Sequence, residues 1–496
     1  MPCLSKGGSR EEQDTEPSIR DANDGRGKNM KNQVKVWVSS EKNPGNSSWY
    51  KKPEPVGHKL DEKELQFAGL DDSNVTTIKV DPSKTYQEIL GIGTSVEEST
   101  VYNLMRMSPE KRREVLVKLV DKEKGIGMSL LRLTIGTADF TGREFYTYDD
   151  MPPGQTDYEL KHFSIQKDFD YHIIDIIKEI QEINPEIKFF ASPWSPPGWM
   201  KEPNPKFSEN NELNLRGGAL KTECIPCYAK YLRKYVEEYE KLGIHIHALT
   251  LQNEPLLEIN YPSCYVTPEQ ERLLAIALKK ELKEAGLDTR IWVFDHNMSE
   301  AVEYVKPILS DPQGFEAVDG VAFHDYSGDP SAMTEVHELF PQKTVGLTER
   351  SWWGVWGADR ICQYFRNWSI SYNMWVTMLD SDIKPHQWVG TPDPTLLVQD
   401  AAPAVNGYYD NYWICPEYYL IGQFSKFVRP GAVRIDSNNG TSDTITNVAF
   451  KNPDNTIAVV VINQQDNEHK FKIQCMGKQI NDTIPAKSVA TYVWGI

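Results

Sequence analysis

Between about residues 86 and 425 the chain repeats one pair of signals eight times: a short apolar run, then an amphipathic helical stretch. The runs are GIGTSV (91–96), SLLRLTIG (129–136), IKFFASPW (187–194), IHALTLQNE (246–254), RIWVFDHN (290–297), VDGVAFHDY (318–326), KTVGLTER (343–350) and MWVTMLD (374–380). Stretches such as FDYHIIDIIKEIQEI (169–183), CYAKYLRKYVEEYEKLG (227–243) and PEQERLLAIALKKELKEAG (268–286) place apolar residues on one helical face. Strands apolar on both faces belong to a parallel sheet covered by helices. Eight such units over this length predict a closed (β/α)8 barrel, an α/β fold, in preference to an open doubly wound sheet. No glycine-rich GxGxxG turn or Walker loop follows any strand, which argues against a nucleotide enzyme.

The two ends read differently. TITNVAF (444–450), TIAVVVIN (456–463), KFKIQ (470–474) and VATYVWGI (489–496) alternate with turns, and KVWVSS (35–40) and TTIKVD (76–81) resemble them. The economical arrangement is an antiparallel β-sandwich side module built from both termini, packed beside the barrel. The expected division is a disordered polar extension over 1–29 with Met30 as the start, N-terminal module strands over 30–85, the barrel over 86–425 and the C-terminal module over 426–496.

Charge and composition exclude some partners. A formal net charge of −17 gives no electrostatic footprint for nucleic acid or an anionic membrane surface. No run of 18 apolar residues exists to span a bilayer. The opening MPCLSKGGSREEQDTEP lacks the apolar stretch of a secretory signal. The expectation is a cytoplasmic protein, with the six N-x-S/T sequons (Asn46, Asn74, Asn297, Asn367, Asn439, Asn481) unmodified. Seven scattered cysteines are no disulfide framework. Cys224 and Cys227 have CxxC spacing, but no second pair follows at metal-site spacing, so a structural thiol pair is expected and no metal centre.

The polar residues that end the strands are where chemistry belongs, because the C-terminal ends of barrel strands form the active-site mouth. Strand two contains Arg132 and leads to Asp139. Strand three ends at Trp194, strand four at Gln252-Asn253-Glu254-Pro255, strand six at His324-Asp325-Tyr326 and strand seven at Thr348-Glu349-Arg350. Strand eight is expected to begin near Trp375. Strands four and seven lie on opposite sides of an eight-stranded ring, so Glu254 and Glu349 can meet across it. A single strand-end Glu is commonly just a solvated group; two in register, one in Asn-Glu-Pro, suit glycosidic bond cleavage. One would protonate the departing oxygen and the other attack the anomeric carbon, at a separation of roughly 5–5.5 Å for retention. Glu254 is expected to have a raised pKa and Glu349 to stay ionised beside Arg132. Trp194, Trp199, Trp352, Trp353, Trp356, Trp375 and Trp388 supply material for an aromatic wall against sugar rings.

These segments resemble glycoside hydrolase family 30, the glucosylceramidase family. ASPWSPPGWMK (191–201), LQNEP (251–255), YPSCYVTPEQER (261–272), LTERSWWG (347–354) and GQFSKFVRPGAVRI (422–435) carry the likeness. The resemblance implies Glu254 as acid/base and Glu349 as nucleophile, with Asn253 on the sugar 2-hydroxyl. It also implies that Asp139, Trp194, His324 and Trp375 shape the glycone subsite, with Arg132 and Tyr326 near the nucleophile. It implies no cofactor and a β-linked glycoside or glycolipid substrate. Trp375-Val376-Thr377 and PHQWVGTPDP (385–394) depart from the glucosylceramidase pattern of Trp-Asn-Leu and its sugar-facing loop. A glucosylceramidase-type β-glucosidase is the first expectation, and a β-1,6-glucanase or β-xylosidase of the same family the alternative. A non-catalytic carbohydrate-binding barrel is remote, since both glutamates are present.

Overall fold

In the computed structural model, which describes residues 33–41, 49–51 and 57–496, the repeats close into a parallel barrel whose strands follow chain order around the ring. They are β1 (Gly91–Ser95), β2 (Leu130–Ile135), β3 (Lys188–Pro193), β4 (Ile246–Thr250), β5 (Arg290–Asn297), β6 (Gly320–His324), β7 (Thr344–Glu349) and β8 (Ser369–Met374). β8 pairs with β1 and completes the ring. The first two strands run very close together: a Cβ at Gly93 would meet Leu130 O at 1.8 Å.

The eighth strand corrects the sequence reading. MWVTMLD begins where the barrel strand stops, so Trp375 follows β8 instead of opening it. Ser369, Ser371 and Asn373 are wholly buried in β8, and their side chains bond to main-chain carbonyls. Ser369 Oγ donates to Ser371 O at 2.6 Å and Asn373 Nδ2 to Leu130 O at 2.8 Å. Buried polar groups satisfied in this way replace the apolar residues that mark the other strands. Met378–Asp380 instead joins a small side sheet with Leu397–Gln399 and Tyr412–Ile414.

The barrel is layered along its axis. Leu90, Leu130, Phe190, Ala248, Trp292, Ala322 and Ile370 form an apolar plug of their own, while the large core fills the space between strands and helices. The helix Ile173–Ile183 shows how: Ile173, Ile174, Ile176, Ile177 and Ile180 are its buried residues, at the spacing of one helical face.

The module is one ten-stranded sheet in which strands from the two ends interleave, around a separate apolar core. Gln33–Ser40 pairs antiparallel with Ser488–Gly495. Thr76–Glu88 lies between Val433–Ser437 and His469–Cys475. Its pairing with His469–Cys475 is parallel, an exception to the expected antiparallel module that arises because the strand is inserted from the other end of the chain. Lys59–Gln66 (KLDEKELQ) is an edge strand whose charge hides it from pattern reading and suits an edge. The extension expected over 1–29 and the Asn46 sequon lie outside the described residues. Among those described, no helix is long and apolar enough to cross a membrane.

Candidate active site

Glu254 and Glu349 meet at the mouth of the barrel. Oxygen atoms of the two carboxyl groups and a ring nitrogen of His324 all lie within 4.8 Å of one another. Both glutamates are buried, at 8% and 4% exposure, and both line a cavity of about 410 Å3. The separation suits direct attack on a sugar carbon placed between them.

Local backbone geometry aims these groups. Glu254 sits at φ +50°, in the left-handed region, at a cost of roughly 1–3 kcal/mol for a residue other than glycine. Its N–H donates to Asp295 O at 3.0 Å, and the Asn253 N–H to Pro193 O at 2.8 Å. Phe294 and Asp295 are also left-handed, at φ +80° and +45°, where the pairing of β5 with β6 shifts register. This irregularity turns the Asp295 carboxylate inward.

Asp295, which sequence reading missed, is the hub of the layer beneath the cavity. It is fully buried and accepts from Arg132 Nη2 at 2.8 Å, Thr250 Oγ1 at 2.7 Å and Thr348 Oγ1 at 2.6 Å. His324 Nε2 lies 3.0 Å from its Oδ1. Arg132, also fully buried, donates to Glu349 through Nη1 and to Asn253 Oδ1 through Nη2 at 2.9 Å. The Tyr326 hydroxyl donates to the other Glu349 oxygen at 2.7 Å. The one signal that could have found Asp295 is its place at the polar end of an apolar run, shared with the strand-end residues that were singled out.

His324 changes the expected electrostatics. Its Nδ1 lies 3.2 Å from Glu254 Oε1 and 3.7 Å from Glu349 Oε1. Burial alone would lower its pKa, but the charges of Glu349 and Asp295 raise it to about 10, which favours the protonated ring. Glu254 therefore departs from the expectation of a raised pKa. Burial pushes its carboxyl up, but His296 and His324 outweigh that and hold it below the usual carboxylate range. The three side chains form a set close enough to hold a metal ion, which linear spacing did not suggest. His324 directs Nδ1 at Glu254 and Nε2 at Asp295, so the set reads as a proton-sharing cluster.

The remaining sequence-singled residues divide between wall and support. Asp139, Trp194, Asn253, Tyr326 and Trp375 line the cavity with the two glutamates. His324 and Arg132 are not on its wall; they act from behind it. Trp194 and Trp375 stack at 4.9 Å between ring centroids, with the Arg132 guanidinium 4.9 Å and 5.5 Å from the two rings. Burial and the charge of Glu349 push the Asp139 carboxyl well above the usual range. Of the other tryptophans only Trp388 reaches the wall. Arg350, named at the end of strand seven, also lines it, as do Leu257, Ile259, Tyr261, His296 and Asp393, which were not singled out from sequence. Cys224 and Cys227 are buried free thiols.

The model of the glycosyl hydrolase family 30 TIM-barrel domain matches residues 89–428, and that of the family's beta sandwich domain matches 431–492. The chain belongs to glycosyl hydrolase family 30. It is a glycoside hydrolase acting on β-linked substrates. An endo-1,6-β-D-glucanase of Aspergillus fumigatus is 31% identical over 427 residues, covering 82% of this chain and 85% of the relative. A putative glucosylceramidase 2 of Caenorhabditis elegans is 31% identical over 408 residues, covering 78% and 76%. The solved structure of an endo-β1,6-glucanase superposes with a TM-score of 0.80 at 29% identity, covering 93% of this chain and 99% of that one.

Proposed function

We propose that this family 30 enzyme hydrolyses β-1,6-linked glucan with retention of configuration, Glu349 acting as nucleophile and Glu254 as acid/base. The observation that supports the mechanism above all others is the close approach of the two buried carboxyl groups across the cavity. Glu349 is oriented on one oxygen by Arg132 and on the other by Tyr326, as an in-line attacking group must be. Asn253 accepts from Arg132 through Oδ1 and lines the cavity, so its amide N–H is available to a sugar hydroxyl.

In the resting site Glu254 and His324 share a proton through their hydrogen bond. Passed along that bond, it makes Glu254 the acid that protonates the leaving oxygen as Glu349 bonds to the anomeric carbon. The charge of Glu349, the strongest influence raising the proton affinity of His324, is cancelled in that ester. Glu254, ionised again, then draws the proton from the water that releases the sugar.

The glucan reading draws on the two glucanase relatives and on the departures from the glucosylceramidase pattern at 375–377 and 385–394. Glucosylceramide remains the second reading, favoured by the Leu257 and Ile259 side chains on the cavity wall. A panel of aryl β-glucoside, aryl β-xyloside, β-1,6-glucan and glucosylceramide tests the choice. Release of glucose oligomers from the glucan with retained anomeric configuration is expected. Turnover of the lipid alone would overturn the glucan assignment.

A further inference from the structure

Arg350 immediately follows the proposed nucleophile, and Asp393 lies 43 residues later in the loop that departs from the glucosylceramidase pattern. Both line the cavity, and the Arg350 guanidinium donates through Nη1 to Asp393 Oδ2. Its plane is held from two sides: the guanidinium carbon lies 4.6 Å from the Tyr326 ring and 4.1 Å from the Trp352 ring. The loop has a second anchor, because Trp49 Nε1 donates to Pro392 O at 3.2 Å. Loop and cation are thus fixed before substrate arrives.

The pair has bonding capacity to spare. Among the described residues neither Arg350 Nη2 nor Asp393 Oδ1 makes a hydrogen bond, their one shared bond being Nη1 to Oδ2. The Asp393 side chain is 30% exposed against 12% for Arg350, and both residues lie on the cavity wall. A donor and an acceptor side by side match a hydroxylated ring, whose neighbouring hydroxyls both give and take hydrogen bonds. An alkyl chain laid against the same wall would strip water from a charged pair and return nothing.

Resting on the glucan reading above, we infer that Arg350 and Asp393 form a clasp that binds the second glucosyl unit of the glucan and selects it over a lipid aglycone. Asp393→Asn keeps the size of the side chain and removes its charge, and Arg350→Lys keeps the cation but loses the fork. Each variant is compared with the unmodified enzyme on a β-1,6-linked glucose oligomer and on an aryl β-glucoside. Thermal unfolding confirms that each is folded.

Loss of charge-assisted hydrogen bonds predicts a fall in kcat/KM on the oligomer of about 10–100-fold, mostly in KM. The aryl glucoside, lacking the second sugar, should lose several-fold less, and the ratio of the two losses is the readout. Equal losses on both substrates, or none on either, would refute the clasp while leaving the glucan reading intact. An unmodified enzyme that cleaves the aryl glucoside but not the oligomer would remove both.

Discussion

At the scale of single residues the site is a charge puzzle solved by position. Two cationic side chains, Arg132 and His324, serve three buried carboxyl groups, Glu254, Asp295 and Glu349, at the base of the cavity. Glu349→Ala removes the attacking atom, so turnover should fall by about 10⁴-fold or more. Added azide should restore cleavage and give a glycosyl azide of inverted configuration, identifiable by NMR. Absence of rescue would count against the nucleophile assignment. Glu254→Ala should slow glucan cleavage by about 10²–10⁴-fold while sparing aryl glucosides whose leaving groups need no proton. Similar losses on both would remove the acid/base role. Asp295→Asn should also depress turnover without touching the sugar, because it withdraws a charge from both Arg132 and His324. Its distinguishing sign is an alkaline limb of the pH–rate profile moved to lower pH, since His324 loses a partner that raises its pKa. A limb that stays in place would refute this coupling.

At the scale of elements, packing decides what substitutions the barrel tolerates. Gly93→Ala would drive a methyl into the Leu130 carbonyl oxygen, a fixed piece of backbone. A loss of about 1–3 kcal/mol or more is expected in denaturant unfolding, and an unchanged midpoint would mean that β1 and β2 can separate at little cost. The same scale shows what could be read from the chain. Seven barrel strands were legible because continuous apolar runs end in polar residues, and that ending pointed to both glutamates. β8 was hidden because its buried Ser369, Ser371 and Asn373 donate to main-chain carbonyls inside the wall, where the other strands carry apolar residues. Lys59–Gln66 was hidden because an edge strand need not be apolar. Asp295 escaped because its inward aim depends on a left-handed backbone at Phe294 and Asp295, which no local residue preference announces. The pairing of Arg350 with Asp393 escaped because it joins two loops that only the closed ring brings together.

At the scale of the whole molecule, many acids are folded inside without a full countercharge. Burial raises Glu97, Asp168 and Glu417 to about 7 and Glu271 to about 8. An acid whose folded pKa lies above its unfolded value holds a proton that the unfolded chain releases. Its contribution is therefore complete below about 4 and is lost as pH rises toward 7–8. His324, raised to about 10, adds a loss between roughly 6.5 and 10. Asp295 is shifted the other way and weakens the fold only under stronger acid. The unfolding temperature should accordingly peak near pH 5 and drop by several degrees by pH 8, which calorimetry can check; a rise over that range would contradict the burial of these groups. The ten-stranded sheet bears on how such a chain is made. Gln33–Ser40 is translated before the barrel, yet one of its neighbours is Ser488–Gly495, translated after it. Throughout synthesis of the barrel that earlier strand keeps one margin without its final hydrogen-bonding partner, so the seam closes only when Ser488–Gly495 arrives, and a nascent chain halted short of it exposes a ready edge for association with its neighbours.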